Sequence, residues 1–97
     1  MKSKIILLNC MRYVKKKDGK ETPLTRVQFL FAEYRTSDNY IGAEPITCYY
    51  KGHEAFNQIS EDMLLKPIEA EFKEIKDYYN PLSTRQILKS INGIKLD

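Results

Sequence analysis

The dipeptide Asp18-Gly19 lies between two long segments of strand-forming residues, and this arrangement constrains the fold more than any other feature of the chain. Both residues tolerate the positive φ that a two-residue turn requires, and Asp-Gly between apolar runs is a strong hairpin signal. One flanking segment runs from Lys4 to Lys15 and the other from Leu24 to Arg35. The sequence therefore predicts a long antiparallel hairpin with a basic loop.

The two strands of this predicted hairpin differ in their apolar patterns. In the second strand Val27, Phe29 and Phe31 alternate with the other side chains and are expected to face a core. Its opposite face then carries Arg26, Gln28, Leu30, Ala32 and Tyr34. The first strand is apolar on both faces, with Ile6, Leu8, Cys10 and Val14 on one and Ile5, Leu7, Met11 and Tyr13 on the other. A strand of this kind is typical of a central position or of a closed barrel.

The middle of the chain predicts a third strand and a short helix. Residues 36–39 form a cluster of turn residues, and the third strand runs from Tyr40 or Glu44 to Lys51, with Pro45 at an edge or a bulge. Between His53 and Leu65 the apolar residues recur at spacings of three to four, which indicates an amphipathic helix. These residues are Ala55, Phe56, Ile59 and Met63. Pro67 ends the predicted helix because the residue before a proline is disfavoured in the helical region.

The last third of the chain predicts two more strands. The fourth strand begins at Ile68 and ends at about Lys76, with alternating apolar residues, and the fifth runs from Gln86 to Ile91. A turn at residues 77–83 joins them, and Asn92-Gly93 forms a bend after the fifth strand. Five strands with a helix between the third and the fourth is the order of an OB-fold, a partly open Greek-key barrel. The sequence predicts one all-β domain of this kind over residues 1–97, which are too few for two cores.

Motifs for catalysis and metal binding are absent from the sequence. His53 is the only histidine, so no zinc-binding set of cysteine and histidine can be assembled. The sequence has no glycine-rich phosphate loop and no nucleophile elbow. We therefore expect a protein that is not an enzyme, with no cofactor, no metal and no small-molecule substrate.

The apolar run Ile5–Leu8 is too short for a signal peptide core or a membrane span. We expect a cytoplasmic protein with no membrane partner. Cys10 and Cys48 are then expected to remain reduced.

Positive charge is concentrated in the first part of the chain. The whole chain has a net charge of +3, whereas residues 1–35 contain nine Lys or Arg against three acidic residues, a net of +6. Such an asymmetry indicates an anionic partner for the basic part, although an unevenly charged, solvated surface is an equal alternative.

Cations and aromatic side chains together are typical of surfaces that bind single-stranded nucleic acid, because cations follow the phosphates and rings stack on bases. In an OB-fold the first and last hairpin loops flank the binding face of strands 2 and 3. The candidate site therefore comprises Arg12, Tyr13, Lys15, Lys16, Lys17, Lys20, Arg26, Gln28, Tyr34, Tyr78 and Tyr79.

In its size and strand order the chain resembles the small single-stranded DNA-binding, helix-destabilising proteins of filamentous phages and related phage or plasmid replication proteins. The likeness rests on the Gly19-Lys20 hairpin that leads into Val27 to Tyr34, and on the late hairpin with Phe72–Ile75, Tyr78-Tyr79 and Ile87-Leu88. It implies a homodimer that coats single-stranded DNA cooperatively and without sequence preference during replication. It also implies that Tyr78 or Tyr79 is the aromatic at the tip of the late hairpin. The longer connection between strands 3 and 4, and the acidic group Glu69, Glu71 and Glu74, depart from the family pattern.

Two alternatives stay open at the level of sequence. RNA could be bound as well as DNA. The chain could instead be a small β-barrel module for protein–protein interaction in a phage or mobile-element assembly, docking a partner through an edge strand or a tyrosine patch.

Overall fold

The predicted hairpin forms the centre of the fold. In a computed structural model, which describes residues 2–32, 35–76 and 84–96, strand β1 (Lys2–Lys17) pairs antiparallel with β2 (Lys20–Phe31). Asp18 and Gly19 form the two-residue turn between them, with φ of 53° and 74°. The hairpin prediction is confirmed, and both strands extend further toward the turn than the sequence pattern indicated.

The described residues form one antiparallel sheet of six strands, one small separate hairpin and one short α-helix. After β2 come β3 (Arg35–Ser37), β4 (Tyr40–Gly42), β5 (Ile46–Lys51), helix α1 (Glu54–Gln58), a 3₁₀ turn (Glu61–Met63), β6 (Pro67–Lys76), β7 (Thr84–Ile91) and β8 (Ile94–Lys95). The order in the sheet is β5-β2-β1-β6-β7-β8, and β3 pairs only with β4 in a second sheet. No helix in the described ranges is long and apolar enough to cross a membrane.

The predicted all-β architecture, with a helix between the third and fourth long strands, agrees with this arrangement. Among the described residues no backbone pairing joins β5 to β7, so a closed barrel is not found. The sheet is nevertheless strongly curved, as a hydrogen bond between its distant strands shows. The Tyr50 hydroxyl on β5 donates to the Leu88 carbonyl on β7 at 2.7 Å. Four strand spacings separate these strands in the sheet order, and a flat sheet would hold them about 19 Å apart.

Two elements in the middle of the chain differ from the prediction. The residues expected as a turn at 36–39 and the expected start of the third strand at Tyr40 form the β3–β4 hairpin, and β5 begins only after Pro45. The predicted helix from His53 to Leu65 is also too long. Ile59 has extended backbone angles, with φ −95° and ψ 127°, so only one turn of α-helix forms. A helix this short gains few hydrogen bonds for its nucleation, and packing of Ala55 against the core stabilises it instead.

A β-bulge at Leu8 reverses the predicted faces of β1. Leu7 pairs with Phe29 and Asn9 pairs with Gln28, so Leu8 is an extra residue between them. Cys10 therefore packs against the core together with Ile5 and Leu7. The predicted face that joined Cys10 to Ile6 and Leu8 is wrong, because a one-residue insertion exchanges inward and outward positions.

The core lies on the concave side of the curved sheet. Its fully buried members include Ile5, Leu7, Val27, Phe29, Leu88 and Ile91. The Phe72 ring contacts that of Phe29, with centroids 5.9 Å apart. Phe31, which the alternation places in the core, is an exposed residue at the end of β2, although its ring lies 5.5 Å from that of Phe72. The predicted inward positions Val27 and Phe29 on β2 are confirmed, as are Ile68, Ala70 and Phe72 on β6.

Candidate nucleic-acid interface

The tip of the β1–β2 hairpin extends beyond the rest of the sheet as a free two-stranded ribbon. The pairing of β6 with β1 ends at Ile6, and that of β5 with β2 ends at Leu24. Residues 14–23, which we call the basic ribbon, are all exposed. The ribbon carries Lys15, Lys16, Lys17 and Lys20 against Asp18 and Glu21.

The ion pair between Lys16 and Glu21 within the basic ribbon is weak. Lys16 Nζ lies 3.6 Å from Glu21 Oε1, and both side chains are largely solvent-exposed. Exposed pairs of this kind contribute about 0–1 kcal/mol. The ribbon therefore keeps its net positive charge available for an anion.

The convex side of β1, β2 and β5, which we call the outer face, carries a row of three side chains next to the ribbon. Met11, Arg26 and Tyr49 are direct cross-strand neighbours. The side chain of Met11 is 40% exposed and that of Tyr49 is 52% exposed, with the half-buried Arg26 between them. Arg26 Nε has no hydrogen-bond partner in the described part of the chain. The stem of Arg26 is thus covered by its neighbours, which is the usual arrangement for a long cationic side chain on an apolar surface.

A polar row fixes the next position along the outer face. The Asn9 amide donates to Gln28 Oε1 at 2.9 Å, and the Gln28 amide donates to Thr47 Oγ1 at 3.1 Å. These bonds link all three strands through their side chains. They hold Gln28 in a fixed orientation beside Arg26.

Arg12 lies on the other side of the hairpin from Arg26. Its partner on β2 is Thr25, which is fully buried. The Arg12 guanidinium carbon lies 5.0 Å from the centre of the Phe56 ring on α1. This cation–π contact gives Arg12 a structural role at the helix. The structure therefore does not bring Arg12 together with Arg26 and Gln28.

Of the four tyrosines predicted for the site, the structure describes one. Tyr13 is half-buried on the outer face opposite Leu24. The Tyr13 carbonyl accepts a hydrogen bond from His53 Nε2 at 3.1 Å, which links the base of the ribbon to the start of α1. Tyr34, Tyr78 and Tyr79 lie outside the described residues.

Sequence reasoning missed Tyr49 and Met11 as members of the surface. The sequence of β5 could have identified Tyr49, because Tyr49 shares a strand face with the charged Lys51. In the structure these two residues are exposed, while Cys48 and Tyr50 on the other face are buried. For Met11 no such signal exists, since its position on the outer face depends on the bulge at Leu8.

Strand β6, which carries the acidic group, is next to β1 in the sheet order, but it pairs with residues 2–6 of β1, at the end away from this surface. Glu69 is the cross-strand partner of Lys4, at the end of β1 opposite the ribbon. Opposite charges in such positions stabilise a sheet. Part of the positive charge of residues 1–35 is thus matched by β6, and the ribbon has a net charge of +2, from four lysines against Asp18 and Glu21.

Comparison with protein families, curated proteins and solved structures finds no match.

Proposed function

We propose that the protein binds single-stranded DNA through its outer face and basic ribbon, without strong sequence dependence. The observation that carries this proposal is the row of Met11, Arg26 and Tyr49 on the outer face. Only one further row on that face, which contains Tyr13, separates it from the ribbon. The row of Met11, Arg26 and Tyr49 combines an exposed ring, an exposed thioether and a cation next to four exposed lysines. This combination suits a strand whose bases stack on side chains while its phosphates meet cations.

The strand order supports an OB-fold topology for this proposal. In the sheet, β5, β2, β1, β6 and β7 follow one another as strands 3, 2, 1, 4 and 5 of an OB-fold do, and β3–β4 is then an insertion between strands 2 and 3. The outer face of β2 and β5 corresponds to the usual ligand face of that fold. The resemblance to phage and plasmid helix-destabilising proteins extends the proposal to DNA coating during replication, as a binding protein rather than an enzyme.

Each part of the surface has a separate role in this proposal. The Tyr49 ring stacks on a base, which contributes about 1–3 kcal/mol. Arg26 and the ribbon lysines neutralise phosphates, and the counterions released make binding weaken with salt. The bonded row of Asn9, Gln28 and Thr47 keeps the three strands in register beneath the DNA.

Titration with an oligo-dT at several salt concentrations, followed by tyrosine fluorescence, tests the proposal. Tyr49→Ala is expected to weaken binding by about 1–3 kcal/mol with an unchanged salt slope. Lys17→Gln is expected to reduce the magnitude of that slope by about 0.7. Lys89→Gln is the matched control, because Lys89 is also exposed but lies on β7, three strands from β2. Absence of binding at low salt, or equal effects of all three variants, would refute the proposal.

A contact between protein copies has one specific observation in its favour. Ile41 on the β3–β4 hairpin is 80% exposed, and among the described residues this hairpin pairs with no other strand, so Ile41 is accessible to a second copy. We propose that Ile41 contributes to the homodimer that the family resemblance implies. Sedimentation equilibrium tests this: Ile41→Ser is expected to shift the protein toward the monomer, and an unchanged mass would refute it.

A further inference from the structure

A groove lies along the seam where the two ends of the curved sheet approach each other. It has a volume of about 490 Å³, which is within the range of about 300–1,000 Å³ for small-ligand sites. One wall is formed by β5 and the other by β6 and β7, with α1 and the residue after β8 at one end. The hydrogen bond from Tyr50 to Leu88 joins the two walls.

The walls of the groove combine apolar and charged side chains. Ile75, Ile87 and Leu96 supply the apolar surface, and Ile87 and Leu96 are themselves buried. The charged members are Lys51, Lys73 and Glu54. Apolar walls with a few polar groups are typical of sites that hold a flat ring in one orientation.

The groove adjoins the candidate nucleic-acid interface through one shared residue. Tyr49 lines the groove, and it also belongs to the row with Met11 and Arg26 on the outer face. A strand bound along the outer face can therefore reach the groove at Tyr49 and place one base in it. Lys51, on the same strand as Tyr49, is available to the adjacent phosphate.

Glu54 is the residue that points to a particular class of base. Its carboxylate repels phosphate and accepts a hydrogen bond from a donor on a base, whereas the other charged members of the groove, Lys51 and Lys73, are cations. Among the contacts that read bases, Glu and Asp accept a hydrogen bond from the exocyclic amine of cytosine. Thymine has a carbonyl oxygen at the same ring position, which a carboxylate repels.

We propose that this groove holds one base of the bound strand, and that Glu54 selects a base with an exocyclic amine, such as cytosine, over thymine. This inference rests on the proposed function and adds a base preference at a single nucleotide. Cytosine and thymine are both pyrimidines, so the preference arises from hydrogen bonding rather than from ring size.

The test compares oligo-dC with oligo-dT of equal length at one salt concentration. The unmodified protein is expected to bind oligo-dC about fivefold more tightly, the lower end of the discrimination from a base contact. Glu54→Gln is expected to bring the ratio of the two affinities close to one and to raise the affinity for oligo-dT. The uncharged amide of glutamine can accept a hydrogen bond from cytosine and donate one to thymine. Glu61→Gln is the matched control: Glu61 is exposed in the 3₁₀ turn and does not line the groove, so the ratio should stay as it is.

A second measurement uses the unmodified protein alone. Oligo-dC with both amine hydrogens replaced by methyl groups is expected to bind no better than oligo-dT. Equal affinity for oligo-dC and oligo-dT, with a steep salt dependence, would overturn the base preference and leave the proposed function intact. A preference that persists in Glu54→Gln would overturn the assignment to Glu54, and failure to bind any oligomer would overturn the proposed function itself.

Discussion

Replacement of Tyr50 by phenylalanine tests whether a single hydroxyl holds the two ends of the sheet together. The side chain is 4% exposed, and its hydroxyl donates to the Leu88 carbonyl across strands that do not pair with each other. Tyr50→Phe keeps the ring in the core and leaves that carbonyl without this donor. Loss of a partner for a buried polar group costs about 1–3 kcal/mol. We therefore expect the free energy of unfolding to fall by about 2 kcal/mol.

Urea unfolding followed by far-ultraviolet circular dichroism measures this loss. With a urea dependence of about 1–3 kcal/mol per M, a change of about 2 kcal/mol lowers the midpoint by roughly 1 M. Tyr49→Phe is the control, because this neighbouring side chain is half exposed and its hydroxyl has no hydrogen-bond partner within the described ranges. Tyr49→Phe should change the free energy of unfolding by no more than about 0.5 kcal/mol. Equal midpoints for Tyr50→Phe and the unmodified protein would refute the bridging role of the hydroxyl.

The same residue gives the protein a specific response to high pH. Burial, together with the neighbouring thiol of Cys48, raises the pKa of Tyr50 above its ordinary value. A raised pKa in the folded state means that the stabilisation is complete below about pH 10, the ordinary tyrosine value, and is lost as the pH rises above it. Between pH 8 and pH 11 the unmodified protein should therefore lose more stability than Tyr50→Phe. An equal loss of stability with pH in the unmodified protein and in Tyr50→Phe would contradict the assignment of this response to the Tyr50 hydroxyl.

Three further measurements test local features of the fold. Gly19→Ala should destabilise the protein by about 1–2 kcal/mol in urea unfolding, because Gly19 has a φ of 74° that is costly for a residue with a side chain. A double-mutant cycle with Arg12→Met and Phe56→Leu should give a coupling of about 0.5–1 kcal/mol, the value of an exposed cation–π contact, and a coupling of zero would contradict that contact. Cys10 and Cys48 lie in the same row two strands apart, a separation of about 10 Å that excludes a disulfide, so thiol titration of the unfolded, unreduced protein should find both thiols free.

The parts of the fold that the sequence predicted are those governed by local rules. The Asp18-Gly19 turn needs only its own two residues to adopt positive φ, and the structure has it at the predicted place. The alternation of Ile68, Ala70 and Phe72 with charged residues defines the inner face of β6 by itself. Both features depend on side chains within a few residues of one another, so no knowledge of distant contacts was required.

The parts that were missed depend on contacts between distant segments. The N–H of Leu65 binds the Leu7 carbonyl at 2.9 Å, next to the bulge in β1. Nothing within residues 4–15 shows this, because a segment that is apolar on both faces looks the same with or without an inserted residue. Residues 36–39 were likewise read as a turn, and Tyr40 as one start of the third strand. Among the described residues β3 and β4 pair with each other in a sheet of their own, which no local pattern indicates.

The bulge at Leu8 connects these structural details to the candidate site. If β1 continued in the register set by Leu7 and Phe29, Arg12 would share the outer face with Arg26, and Met11 would point toward the core. The extra residue exchanges these two side chains: Arg12 covers the Phe56 ring, and Met11 joins Arg26 and Tyr49. The outer face therefore gains an apolar contact and loses a cation where the bases of a bound strand would lie, while the ribbon keeps its lysines for the phosphates. In the proposed function the stacking ring of Tyr49 lies on β5 and the cationic lysines lie on the β1–β2 hairpin. For this reason Tyr49→Ala and Lys17→Gln are expected to affect different binding parameters.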